Sequence, residues 1–254
     1  LRITFLGTGT SQGIPMIACP CEVCASVDKR DKRLRSSVLV EINGLNIVID
    51  TGPDFRYQML REQVKHLEAI LFTHEHKDHI AGLDDVRAFN YFQQRAVDVY
   101  GTNRVLDALK REFAYAFSDQ KYPGIPQIDL HDIANSPFLL NGDVLVSPIQ
   151  VMHYKLPILG FRIGDFTYIT DAKTIDEQEL EKIKGSTILV LNALQQESHI
   201  SHLTLEEAIT LAQKIGAKET YLTHIGHRLG KHADVLAQLP TGIFLAYDGL
   251  KVNL

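Results

Sequence analysis

The chain has 254 residues, about as many as one hydrophobic core supports. Hydrophobic residues make up 45% and charged residues 22%, which excludes a disordered chain or a collagen-like repeat. Lys and Arg number 26 against 31 Asp and Glu; the formal charge of −5 argues against a dedicated nucleic-acid binder, whose phosphate contacts demand a basic surface. No run approaches ~18 consecutive apolar residues, so no membrane span is expected. The opening apolar run is too short for a signal peptide, and a first residue other than methionine is expected of a processed or trimmed chain. Cys19, Cys21 and Cys24 are odd in number and packed together, unlike a disulfide framework. The expected compartment is the cytoplasm.

In chain order, a strand at 1–6 is followed by a Gly-rich turn at 7–13. That turn has the wrong spacing for a dinucleotide fingerprint and reads as a close-packing turn. Strands at 37–42 and 45–49 flank Asn43-Gly44, a hairpin signal. A helix over 55–62, a strand at 67–72, a helix over 83–92, a strand at 97–100 and a helix over 103–113 come next. Residues 114–136 are aromatic and Pro-containing with no clear period, and read as a long irregular loop of the kind that forms a lid or an interface. Strands follow at 144–151, 158–163 and 166–170, the last two joined at Gly164-Asp165. A helix over 176–183 and a strand at 187–191 precede a helix over 205–215. That helix opens on Thr204 with Glu207 three residues on, a capping box. A strand at 220–223, a helix over 233–239 and strands at 243–246 and 250–253 close the chain. One domain spans 1–254. Two packed sheets with helices outside would bury this pattern.

The chain carries 11 His. Three of them, with Asp78, fall within six residues in Thr73-His74-Glu75-His76-Lys77-Asp78-His79, just after an apolar strand. Three imidazoles and a carboxylate so close together suit a borderline divalent metal such as Zn²⁺ or Mn²⁺. The pattern is neither a helical H-E-x-x-H site nor a Ser-His-Asp arrangement. His153, Asp171 and His224 each follow another strand-like run, and strand ends are a rigid way to gather ligands in one place.

These residues resemble the metallo-β-lactamase superfamily, and the resemblance covers essentially the whole chain. It implies an α/β (α+β) fold, the four-layer αββα sandwich, with a dinuclear metal site at one edge. His74, His76 and His153 would then hold one metal, Asp78, His79 and His224 the other, and Asp171 would bridge them. Asp50, in Val48-Ile-Asp-Thr-Gly, matches the family's early Asp, which accepts from a ligand imidazole and fixes its tautomer. The secreted β-lactamases lack this bridging carboxylate and are a poor match.

Cys19, Cys21 and Cys24 would complete a closed tetrahedral zinc site with one further ligand, which the cysteines alone do not identify. A narrower resemblance, to the PhnP-type phosphodiesterases, supplies it. In that family a His three residues beyond the last catalytic His completes a structural zinc site, and His227 stands at that spacing from His224.

The implied chemistry is phosphodiester cleavage by a metal-activated hydroxide. The residues expected to act in catalysis are His202 and Asp78. A His just before this helix matches the phosphodiesterase and tRNase Z branches, and His202 would give the leaving oxygen its proton. His199 is the competing choice. The helix N-terminus beside His202 would lower its pKa, so substrate charge must compensate. The expected substrate is a small or cyclic phosphodiester, with homodimerisation a family expectation. A tRNase Z-like RNA 3′-processing nuclease is the alternative, without a visible Gly/Pro-rich arm to grip tRNA. A glyoxalase II-like thioester hydrolase lacks its C-terminal helical segment here, and the complete ligand set argues against a non-catalytic scaffold. His66, His131 and His232 are read as surface or core residues.

Overall fold

The computed structural model describes residues 1–119 and 122–254. Its strands are β1 (Arg2–Gly7), β2 (Ser37–Ile42), β3 (Leu45–Ile49), β4 (Ala69–Leu71), β5 (Val97–Gly101), β6 (Ile128–Asp132), β7 (Phe138–Leu140), β8 (Val144–His153), β9 (Leu156–Ile163), β10 (Phe166–Tyr168), β11 (Ile188–Asn192), β12 (Glu219–Thr223), β13 (Ile243–Leu245) and β14 (Lys251–Asn253). The helices are α1 (Glu22–Ala25), α2 (Phe55–Arg61), α3 (Lys77–Ile80), α4 (Arg87–Gln93), α5 (Asn103–Glu112), α6 (Ala114–Phe117), α7 (Glu177–Ile183), α8 (Leu205–Ile215) and α9 (His232–Leu236). One sheet has the order β14-β1-β2-β3-β4-β5-β6 and the other β13-β12-β11-β10-β9-β8-β7.

Alternation along the strands builds three cores. Ile3, Phe5, Val38, Val40, Ile47 and Ile49 of the first sheet face Val144, Val146, Phe161, Phe166 and Val190 of the second. The opposite faces of the same strands are apolar too. Leu39, Val48 and Ile70 pack on Phe55 and Met59 of α2 and on Val105, Leu106 and Leu109 of α5. Leu189, Leu191 and Leu222 pack on Leu180 and Ile183 of α7 and on Leu205, Ala208 and Ala212 of α8. Strands buried on both faces read as continuous apolar runs, and this is the αββα sandwich. Each fully buried Leu, Ile, Val or Phe contributes about 1.5–3 kcal/mol.

The expected strands are present, and two more appear. Residues 114–136 are not simply an irregular loop: they contain α6 and β6. β6 pairs in parallel with β5 at the sheet edge, and only Ile128 and Leu130 pack inward. Its sequence, Ile-Asp-Leu-His-Asp, has the low apolar density of an edge strand, which hid it. The part of that segment at 120–121 lies outside the described residues. The helix expected over 83–92 is a 3₁₀ turn, Leu83–Val86, running into α4. Among the described residues no helix is long and apolar enough to cross a membrane.

Candidate metal centres

Strand direction gathers the site. β8 and β10 are both antiparallel to β9, and β10, β11 and β12 are parallel, so β8, β10 and β12 end on the same edge. His153 ends β8, Asp171 lies just past β10 and His224 follows β12. In the first sheet β3 and β4 are parallel and end in Asp50 and the His74–His79 loop. A backbone bond from Leu159 to the carbonyl of Thr73 (3.1 Å) ties the two edges together. Asp50, Asp171 and His224 have φ of 63°, 57° and 54°, so each strand ends in a left-handed residue that turns its side chain into the cleft. Such non-Gly conformations cost about 1–3 kcal/mol each and are held by their surroundings. Gly52 is required at its position: a Cβ there would lie 2.1 Å from the carbonyl oxygen of Asp78.

Asp50 organises two imidazoles. It accepts from His79 Nδ1 at 2.7 Å and from the Thr73 hydroxyl at 2.8 Å. Because the Thr73 proton goes to Asp50, its oxygen is the acceptor for His74 Nδ1 at 3.0 Å. Both rings therefore carry a proton on Nδ1 and aim Nε2 toward Asp171, at 3.8 Å for His74 and 3.5 Å for His79. His153 Nδ1 donates to the carbonyls of Asp171 (2.9 Å) and Ser201 (3.0 Å), which frees its Nε2 in the same way. Carboxylate and carbonyl partners of this kind fix ligand tautomers. Sequence reasoning missed Thr73, whose only signal was its place directly before His74. It also missed Thr10, whose hydroxyl is 3.1 Å from His224 Nε2, and Asn192, whose buried amide holds the backbone of Ala172 from both sides.

The structure brings His74, His76, Asp78, His79, His153, Asp171 and His224 into one cluster. His74 Nε2 is 3.0 Å from His76 Nδ1, and the His76 and His153 rings are 5.2 Å apart. Donor atoms of Asp78, His79, Asp171 and His224 lie within 4.8 Å of one another. So do those of His153, Asp171 and His202, which sets His202 inside the cluster rather than at its edge. His79 Nε2 is buried with no hydrogen-bond partner among the described residues. An orphaned imidazole nitrogen among carboxylates fits a divalent cation.

The charges oppose one another strongly. Burial pushes His79 down, but Asp78, Asp171 and Asp50 outweigh it and hold this imidazole well above its ordinary range. Asp171 is held well below the usual carboxylate range: His224 and His79 overcome its burial. Burial, reinforced by His79, keeps His74 well below the imidazole range. His202 is pushed down to about 3, by burial first and then by His224. Its ring centroid is 4.7 Å from that of His153, and its Nδ1 has no hydrogen-bond partner among the described residues. His199 lies 5.1 Å from His202, ring to ring, and is more open.

A second cluster stands beside the first. His227 Nδ1 is 3.3 Å from Cys19 Sγ, 3.3 Å from Cys21 Sγ and 3.8 Å from Cys24 Sγ. Three thiols and an imidazole suit a closed tetrahedral zinc site. Cys21 precedes α1, and the Cys24 amide, with His227, lowers its thiol to about 6. Gly226 donates to the Leu194 carbonyl (2.8 Å), Ile225 donates to that of Thr8 (2.9 Å), and Thr10 donates to that of Ile225 (3.1 Å). These bonds hold the His224–His227 loop between the Gly-rich turn and the segment after β11.

The sequence profile of the β-lactamase superfamily domain matches residues 45–225. A crystal structure of a diphosphatase from the PhnP family superposes with a TM-score of 0.93 at 41% identity, covering 100% of this chain and 97% of that one. The chain belongs to the PhnP family of the metallo-β-lactamase superfamily. Its fold is that of a hydrolase family that binds divalent metals. Zn²⁺-bound PqqB from Methylobacterium extorquens shares the fold, with a TM-score of 0.80 at 19% identity over the full length of both chains. The octanoyltransferase of Porphyromonas gingivalis (strain ATCC BAA-308 / W83) is 41% identical over 99% of this PhnP-family chain. The chain spans only 51% of that protein, about half the length of the curated relative it matches.

Proposed function

We propose that this PhnP-family hydrolase cleaves a small or cyclic phosphodiester with two divalent cations, Zn²⁺ or Mn²⁺, and carries a third, structural zinc. His74, His76 and His153 would hold one active-site cation, Asp78, His79 and His224 the other, with Asp171 between them. Such a pair supplies an activated water and neutralises charge on the phosphoryl oxygens. Asp50 and Thr73 keep the His79 and His74 rings in the ligating tautomer. The observation that carries the reading is His202, a buried imidazole set inside the same cluster beside His153 and Asp171.

Cleaving an alkyl ester leaves an alkoxide that needs a proton, and we assign its supply to His202. Its low pKa belongs to the protein without substrate. A phosphate anion beside the ring favours the charged form and opposes the effect of burial. Three thiols gathered on one imidazole suit a reducing compartment, which supports a cytoplasmic location.

The name of the related diphosphatase favours a second reading, cleavage of a phosphoanhydride. Its phosphate leaving group needs no proton, so His202 would then be dispensable. The test is turnover of a cyclic phosphodiester, a linear alkyl phosphodiester, a diphosphate, a phosphomonoester and an octanoyl thioester by the metal-loaded protein. The expected result is turnover of the diesters above the rest. Diphosphate turnover alone would favour the second reading, and thioester turnover without cleavage at phosphorus would contradict both.

A further inference from the structure

We infer that Cys19 is a site of reversible oxidation by peroxides, which expels the structural zinc and slackens His224. This rests on the zinc reading of the cysteine cluster and adds a regulation to the proposed hydrolase. The three thiols differ in access. Cys24 is 5% exposed and packed in the core, whereas Cys19 and Cys21 are half-buried. Around Cys19 the chain is open: Ala18 and Pro20 are exposed, and Ile17 is 92% exposed. The sulfurs also differ in what draws on their charge. The Cys24 amide donates to Cys21 Sγ and the Met16 amide to Cys24 Sγ, both at 3.4 Å. Among the described residues no amide donates to Cys19 Sγ. A zinc-bound cysteine is a thiolate, the form that oxidants meet, and an amide bond to the sulfur blunts it. Cys19 is therefore reachable and undamped. The ligand atoms of Cys19, Cys21, Cys24 and His227 lie within 4.8 Å of one another, so an oxidised Cys19 has a second sulfur at hand.

With hydrogen peroxide as oxidant the step balances. The Cys19 thiolate attacks one peroxide oxygen; an S–O bond forms, the O–O bond breaks, and the departing hydroxide takes a proton to become water. The Cys21 or Cys24 thiolate then attacks the sulfenic sulfur. The S–S bond forms, the S–O bond breaks, and a second proton turns the expelled hydroxide into water. Two thiolates lose two electrons in all, and the peroxide gains them. One sulfur and His227 remain, too few to close a tetrahedral zinc site. His227 then loses its anchor, and the backbone bonds of Ile225 and Gly226 are left to hold the loop that carries His224.

Enzyme loaded with zinc at every site tests this, because zinc itself has no redox chemistry. Hydrogen peroxide is added at a dose that leaves the methionines unoxidised. Zinc is counted per chain, sulfenic acid is trapped with dimedone, and disulfides are mapped by peptide mass. The expected result is loss of one zinc per chain and dimedone on Cys19. Without the trap, a disulfide should run from Cys19 to Cys21 or Cys24. The active-site zinc should then bind about 10–100-fold more weakly in competition with a chelator, and reductant with fresh zinc should restore both sites. Zinc retained at the cysteines, label confined to Cys21 or Cys24, or zinc lost with active-site affinity unchanged would each overturn the inference. None of these readings needs turnover, so an enzyme that cleaves no diester would sink the proposed reaction and leave the oxidation site standing. Cysteines that hold no zinc from the start would sink the zinc reading and this inference with it.

Discussion

His224 and His227 share one loop and face different clusters. His224 Nδ1 lies 2.9 Å from Asp171 Oδ1, while His227 Nδ1 lies 3.3 Å from both Cys19 and Cys21. Two residues, Ile225 and Gly226, thus connect a candidate structural zinc ligand to a candidate catalytic one. Cys21→Ser is expected to lose one zinc per chain, to lower Tm by several degrees and to cut turnover about 10–100-fold through a loosened His224. Metal analysis, melting curves and steady-state kinetics check this. A variant short of one zinc with unchanged Tm and turnover would refute the coupling.

Asp50 and Thr73 act on the imidazoles from behind. Asp50→Asn weakens the acceptor of His79 Nδ1, and Thr73→Val removes the acceptor of His74 Nδ1. Each substitution should weaken active-site metal binding about 10–100-fold while the Cys cluster keeps its zinc. Competition with a chelator separates the two sites.

His202→Ala should slow alkyl phosphodiesters about 10²–10⁴-fold and activated aryl diesters far less, because an aryl oxide leaves without a proton. Equal losses on both substrates would remove the proton-donor role. His199→Ala should leave this ratio as it is in the unaltered enzyme.

Metal binding must displace the proton that Asp78, Asp171 and Asp50 hold on His79. Affinity should therefore fall about tenfold per pH unit of acidification for each proton displaced. Calorimetry in buffers of different ionisation heat should register proton release at pH 7. Asp50→Asn weakens the hold on that proton and should reduce the release.

His232 gives a separate pH dependence. Its Nδ1 accepts from Arg33 Nη2 at 3.1 Å, and burial, then Arg33, lowers its pKa to about 4 from an ordinary 6.5. The unfolded chain takes up a proton that the folded state refuses. The contribution to stability is full above pH 6.5 and is lost as pH falls through 4. Melting at pH 7 and pH 4.5 should show a drop in Tm that is smaller in His232→Gln.

Much of this was legible in the sequence because it depends on local pattern. Apolar runs marked the buried strands, Thr204 and Glu207 marked the start of α8, and His74–His79 announced its chemistry by density alone. What stayed hidden depends on contacts between distant segments. Thr73 and Thr10 look ordinary until Asp50 and His224 lie against them, and Asn192 matters only because Ala172 passes beside it. β6 was lost because an edge strand needs few apolar residues. His232 read as a surface or core residue, and its bond to Arg33 is visible only once the chain's two ends are packed together.

The central claim is that carboxylates and imidazoles from the edges of both sheets hold a pair of cations. Anomalous diffraction from crystals of the protein as purified, recorded at the edges of zinc, manganese and iron, tests it most directly. The account predicts two peaks flanking Asp171 and a third, zinc, peak enclosed by Cys19, Cys21, Cys24 and His227. A map with density at the cysteines and none beside Asp171, from protein that still turns over substrate, would contradict it.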